Sequence, residues 1–311
     1  VLFVVIESWL NERSTNEDRG LVFSTYVMIT LSVLAAGQMM TLLFAPEGLE
    51  LFLIASVLVS LGAVPVALSK SASPDLPTDV EVDLKRLFRI SPSGTLGCLA
   101  AGTALGAFWS LAPVFVDTYQ ADVSLAAWFM SAVVLGGALS QWPLGFVSDR
   151  LGRRKTLFGA SLSGAVIGAL IVLAAGELGI VGMSILGVAW GAFAFPLYSI
   201  AVAHANDYAE ASDYVMVSSG LLLMYGGGAI IGPFAASAVM SLVGDSGLYV
   251  MAAGVHLLLA TYVLARIFRR ESSPDEQHIA FGDALATAYS ASQVYEEEIL
   301  HQAEEEAAAE A

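Results

Sequence analysis

Apolar and charged positions divide the 311 residues into long runs almost free of charge and short segments that hold nearly all of it. Residues 1–10 read as the end of one run, closed by the polar stretch 11–20. Complete runs follow at 21–44 and 51–69. After a charged, proline-bearing linker at 70–94, six more stand at about 95–116, 123–147, 156–175, 179–204, 213–243 and 247–267. Each approaches or exceeds the roughly 20 residues that carry an α-helix across a bilayer, and outruns the roughly 10 of a barrel strand. Inside lipid a helix satisfies its own backbone hydrogen bonds. The pattern therefore predicts an all-α polytopic membrane protein. The connections at 117–122, 176–178 and 244–246 are too short for anything but antiparallel neighbours.

Composition agrees and then adds sidedness. The chain is 57% apolar and 14% charged, which excludes an ordinary soluble domain. Its net charge of −16 is mostly local. Residues 271–311 hold eleven acids and no Lys or Arg, leaving eighteen acids against thirteen bases, or −5, for residues 1–270. Alternating the loops places 11–20, 70–94, 149–155, 205–212 and 266–311 on one side, and all thirteen Lys and Arg fall there. The other side shows only Glu47, Glu50, Asp117, Asp122, Glu177 and Asp245. The positive-inside rule makes the first side cytoplasmic, with a cytoplasmic C-terminus. The tail reads as a solvated helix or a disordered segment, a docking role being the alternative. The single cysteine, Cys98, sits in an apolar run as a small hydrophobe.

Charge is densest between the runs 123–147 and 156–175, in Gly145-Phe-Val-Ser-Asp149-Arg150-Leu-Gly152-Arg153-Arg154-Lys155. Charge at the bilayer centre costs about 2.5–3.5 kcal/mol per residue, so this knot is a tight turn at a water interface. The pattern G-x-x-S-D-R-x-G-R-R resembles the cytoplasmic loop signature of the major facilitator superfamily of secondary transporters. In that family it lies between helices 2 and 3 and again between helices 8 and 9. The resemblance covers residues 1 to about 270. It implies a twelve-helix 6+6 architecture seen from within helix 4 onward, as in bacterial permeases.

Residues 1–69 are then the rest of the N-terminal half (end of helix 4, helices 5 and 6). Residues 70–94 join the halves, 95–270 are helices 7–12, and 271–311 form the acidic tail. An offset of 195 pairs Asn11-Glu12 with Asn206-Asp207, Asp18 with Asp213, Val22 with Val217, Ser24 with Ser219 and Gly37 with Gly232, as two related halves would.

The resemblance also implies roles. Asp149 would sit on the N-terminus of helix 5 near Arg19, with Arg153 or Arg154 reaching Glu7 or Glu12, a charge latch that shuts the cytoplasmic side. The alternative is topology alone. Asn206 and Asp207 close helix 10 in the one cytoplasmic loop without Lys or Arg, and either cap helix 11 or pair with the arginine turn. Gly228, Gly232 and Pro233 give helix 11 a small-xxx-small face and a bend. Gln38, Trp109, Gln141, Trp190, Tyr198 and Tyr225 are candidate walls of a cavity for a small, partly apolar solute. Trp142 is a further candidate of the same kind.

His256, the only ionisable side chain deep in a run, is a candidate proton relay or a neutral hydrogen-bonded imidazole. The spans contain no mid-membrane Asp or Glu. No nucleotide loop, metal-ligand cluster or nucleophile–base pair is present, so neither an enzyme, a metal, a cofactor nor a nucleic-acid partner is expected. The expected function is transport of a small solute across a bacterial inner membrane by a monomer in the lipid bilayer, with a coupling proton as a candidate partner. The alternative is a receptor on the same scaffold, signalling through the acidic tail.

Overall fold

The computed structural model describes residues 19–44, 48–68, 83–119, 123–209 and 213–269, and every regular element among them is helical. In chain order these are α1 (Arg19–Met40), α2 (Glu50–Leu68), α3 (Leu84–Ile90), α4 (Pro92–Tyr119), α5 (Val123–Leu151), α6 (Arg153–Ala174), α7 (Ile180–Ala194), α8 (Pro196–Asn206), α9 (Tyr214–Val243) and α10 (Gly247–Arg269). Among the described residues six stretches are long and apolar enough to cross a membrane: α4, α5, α6, α7 continued by α8, α9 and α10. The acidic tail and the start of the chain, including Glu7 and Glu12, lie outside the described residues.

Three local features depart from the pattern reading. The linker 70–94 ends in a helix, α3, because Asp83 caps it: its carboxylate accepts from the backbone N–H of Lys85 (2.9 Å) and of Arg86 (3.0 Å). The run 179–204 is two helices and not one, divided at Phe195. Pro196 lacks an N–H and its ring displaces the preceding carbonyl, so it opens a new helix at the first position, where neither matters. Pro65, Pro113, Pro143 and Pro233 leave their helices unbroken. Finally, the charged turn 149–155 contracts to one residue. Gly152 alone, at φ 91°, separates α5 from α6. That left-handed backbone suits only glycine at little cost.

Backbone packing is closest between α4 and α9. A Cβ added at Gly102 or Gly106 of α4 would overlap the backbone of Tyr225 or Ala229, and one at Gly228 or Gly232 of α9 would overlap the Leu99 or Thr103 carbonyl. The interlock is reciprocal, two small-xxx-small faces meeting. Elsewhere α5 packs on α7, and α6 on α10. α1 lies antiparallel on α5: the Ser131 hydroxyl donates to the Ala35 carbonyl at 3.1 Å, and Leu31 is buried beside Val134.

The interior of α4–α10 forms two clusters. One gathers Leu87, Cys98, Leu157, Leu197, Leu221, Leu259 and Val263; the other gathers Phe108, Phe115, Phe129, Trp190 and Tyr249.

Candidate functional site

The first cluster lies under the charged end of the bundle, where four chain segments converge. The C-terminal turn of α5 brings Ser148, Asp149 and Arg150, and the N-terminal turn of α6 brings Arg153, Arg154 and Lys155. The end of α8 brings Asn206, Asp207 and Tyr208, and the start of α9 brings Asp213. Alongside sits α3, whose Leu87 is wholly buried in the cluster.

Arg153 is the hub. Its side chain is only 4% exposed, although three cations at the N-terminus of a helix oppose the helix dipole. Two carboxylates answer that penalty. One is Asp149, a turn earlier across Gly152; the other is Asp207, 3.3 Å from Nε and 1% exposed. The guanidinium also donates to the Ser148 hydroxyl at 3.2 Å. Next to it, Arg154 donates to the Tyr208 hydroxyl at 2.6 Å. At the far end of the same connection Asp213 takes Arg86 of α3, at 2.8 Å and 2.9 Å to its two oxygens. Asp207 and Asp213 thus tie both ends of the α8–α9 connection to arginines from two other helices. Arg150 turns outward and lies over the Phe146 ring, 4.1 Å from its centroid.

The arginines expected to reach Glu7 or Glu12 have partners nearer in the chain. Arg153 is bound to Asp149 and Asp207, and Arg154 to Tyr208, all between α5 and α9, because Gly152 folds Asp149 and Arg153 onto one another and α8 ends beside them. Glu7, Glu12 and the Arg19 side chain lie outside the described set. For Asp207, the structure takes the arginine pairing over the capping of the next helix, since Asp213 holds the position before α9. Asn206 is buried in the last turn of α8, and Gly145 is buried within α5. Arg86, Asp213 and Tyr208 are missed by the sequence reading as members of this cluster, and Ser148 is read there only as part of the turn signature; the signal available was the acidic, base-free loop, which needs cations from elsewhere.

The candidate cavity residues separate into groups. Tyr198 and Tyr225 face each other with centroids 4.9 Å apart. Trp109 stands 6.0 Å from Phe195, beside Leu31 of α1. Gln141 and Gln38 are not brought together: the antiparallel α1–α5 register sends one toward each end of the helix pair. Trp142 is exposed, stacked on Phe146. Trp190 is 0% exposed, enclosed by Phe108, Tyr249 and His256, so it packs in the aromatic core and lines no cavity open to solvent. Pro233 and its two glycines stand on the α4–α9 interlock. Cys98 is fully buried, and the described residues hold no group of metal-ligating side chains.

Six membrane-length helices carrying this charged end define a multi-pass membrane protein. Residues 94–300 match the sequence model of the Major Facilitator Superfamily, and the chain belongs to that family of transmembrane transporters. It is 28% identical over 285 residues to the MFS-type transporter YE1530 of Yersinia enterocolitica, spanning 90% of this chain and 71% of the relative. A second relative, the MFS-type transporter YcaD of Salmonella heidelberg, is 26% identical over 267 residues, covering 85% and 68%. No solved structure matches the chain.

Proposed function

We propose that the chain moves a small organic solute across a bacterial inner membrane by alternating access. On this reading α4–α10 belong to one six-helix half, α1 and α2 to the other, and the arginine-bearing end and the acidic tail face the cytoplasm. The observation that carries the proposal is the buried Arg153, bound at once to Asp149, Ser148 and Asp207. Alternating access needs two arrangements of similar energy, each held by contacts that can be exchanged. A guanidinium sharing two carboxylates and a hydroxyl within one half suits such an exchange, because one partner can turn to the other half while the second keeps the charge paired. Tyr225 and Trp109, both half-buried, offer aromatic faces that suit a partly apolar solute, with Tyr198 packed behind Tyr225.

Transport is tested by reconstituting the protein in vesicles under an imposed pH gradient and screening pooled metabolites for accumulation. Gradient-dependent accumulation of one compound supports the proposal; binding with no movement overturns it. Asp149→Ala is expected to insert normally, since every Lys and Arg remains, and to lower uptake about tenfold or more. Unchanged uptake kinetics would remove Asp149 from the conformational machinery.

A further inference from the structure

Three large side chains of the aromatic core carry polar atoms without a hydrogen-bond partner among the described residues. They are Trp190 Nε1, the Tyr249 hydroxyl and both ring nitrogens of His256. All three side chains are buried, at 0%, 1% and 1% exposure. They are also contiguous: the Trp190 ring lies 5.4 Å from that of Tyr249 and 6.0 Å from that of His256, centroid to centroid. Tyr249 and His256 stand seven residues apart on α10, two turns along one face.

A single buried polar atom left unpaired costs about 1–3 kcal/mol, and folded proteins keep few of them. Four such atoms on three adjoining rings mark a place where something polar belongs. Gly164 of α6 fixes the imidazole in place: an added Cβ would stand 2.7 Å from Nδ1 and 2.9 Å from Cε1, so only bare backbone admits the ring there.

The donor and acceptor inventory selects the occupant. Trp190 can only donate, Tyr249 donates and accepts, and a neutral imidazole does one of each. Charged residues on the helices packed around His256 stand at helix ends: Asp117 on α4, Arg153, Arg154 and Lys155 on α6, and Arg266 and Arg269 on α10. The sequences of α7 and α9 contain none. An ion here would lack a counter-charge, whereas water accepts two hydrogen bonds, donates two and bridges groups too far apart for direct contact.

We propose that Trp190, Tyr249 and His256 enclose a bound-water site within the α4–α10 bundle, in which His256 serves as a water ligand. The site is separate from the arginine-bearing end and is sealed on the Tyr249 side by Phe115 and Phe129, whose centroids are 4.9 Å and 6.1 Å from the Tyr249 ring.

Millisecond X-ray radiolysis of the full chain in nanodiscs, read by mass spectrometry, labels buried side chains only where bound water sits beside them. With rates normalised to intrinsic reactivity, Trp190, Tyr249 and His256 are expected to label about tenfold or more above the equally buried Phe115 and Phe129. Tyr249→Phe keeps the ring and removes one ligand, and His256→Phe removes two; each is expected to lower labelling of the remaining partners several-fold. Native labelling of the three at the Phe115 and Phe129 level overturns the site. So does labelling of Trp190 that both variants leave unchanged.

Discussion

The two interior clusters of α4–α10 are built on different principles. Beneath the arginines the filling is aliphatic and small, Leu157, Leu197, Ala201 and Val263 among it, and the end is closed by ion pairs. At the other end the filling is rings. Phe115, Phe129, Trp190 and Tyr249 contact one another edge-on or tilted, at 4.9–6.1 Å between centroids. Lipid tails are as apolar as leucine, so neither cluster gains much from leaving its solvent, and packing and polar contacts decide. Interlocked rings hold by shape and must be dismantled together. Ion pairs can change partner singly. The contrast assigns rigidity to one end of the bundle and exchangeability to the other.

The largest effect should come from attacking shape. Trp190→Ala is expected to cost about 3–5 kcal/mol in reversible unfolding from mixed micelles, at the high end of large-to-small core changes. Leu197→Ala, equally buried in the aliphatic cluster, should cost about 2–3 kcal/mol. Equal losses would erase the distinction between the clusters.

Next comes charge. Asp207→Ala takes one of two carboxylates from the buried Arg153, and about 3 kcal/mol should go, at the lower end for a broken buried pair because Asp149 remains. Asp149 is 39% exposed, so its own removal should cost less stability than that of Asp207. The same melts would show the order.

Smallest are the contacts of α3. Arg86→Gln should lose at most about 1 kcal/mol, since the arginine is half exposed. The α3 cap also has a pH signature. The backbone N–H of Arg86, donating to the Asp83 carboxylate, holds that carboxyl below its usual range. A lowered carboxylate contributes its stabilisation in full at neutral pH and loses it only as pH falls through the depressed value. Amide exchange at Lys85, Arg86 and Leu87 should therefore stay protected through mild acid and open only below the ordinary carboxylate range.

The spans were legible because membrane burial writes itself as length without charge. The arginine turn was legible because cations cannot be spaced that way inside lipid. What escaped depends on residues distant in sequence meeting in space. Arg86 and Asp213, 127 positions apart, each look like an ordinary surface charge. The seven residues of α3 are too few to announce a helix by periodicity, and only the Asp83 cap betrays it. Five described prolines fall inside predicted spans, and nothing in their local sequence says that Pro196 divides its helix while Pro65, Pro113, Pro143 and Pro233 do not. Trp190 reads as a cavity wall in the sequence because an aromatic deep in a span looks the same whether it faces a void or other rings.

The docking of α3 gives the charged end a splint. With Leu87 plugged into the bundle and Arg86 held at the root of α9, the short helix is fastened at two points to elements far from it in sequence. A force applied at Asp83 would therefore load the Arg86–Asp213 pair and the Leu87 socket before it reached α4.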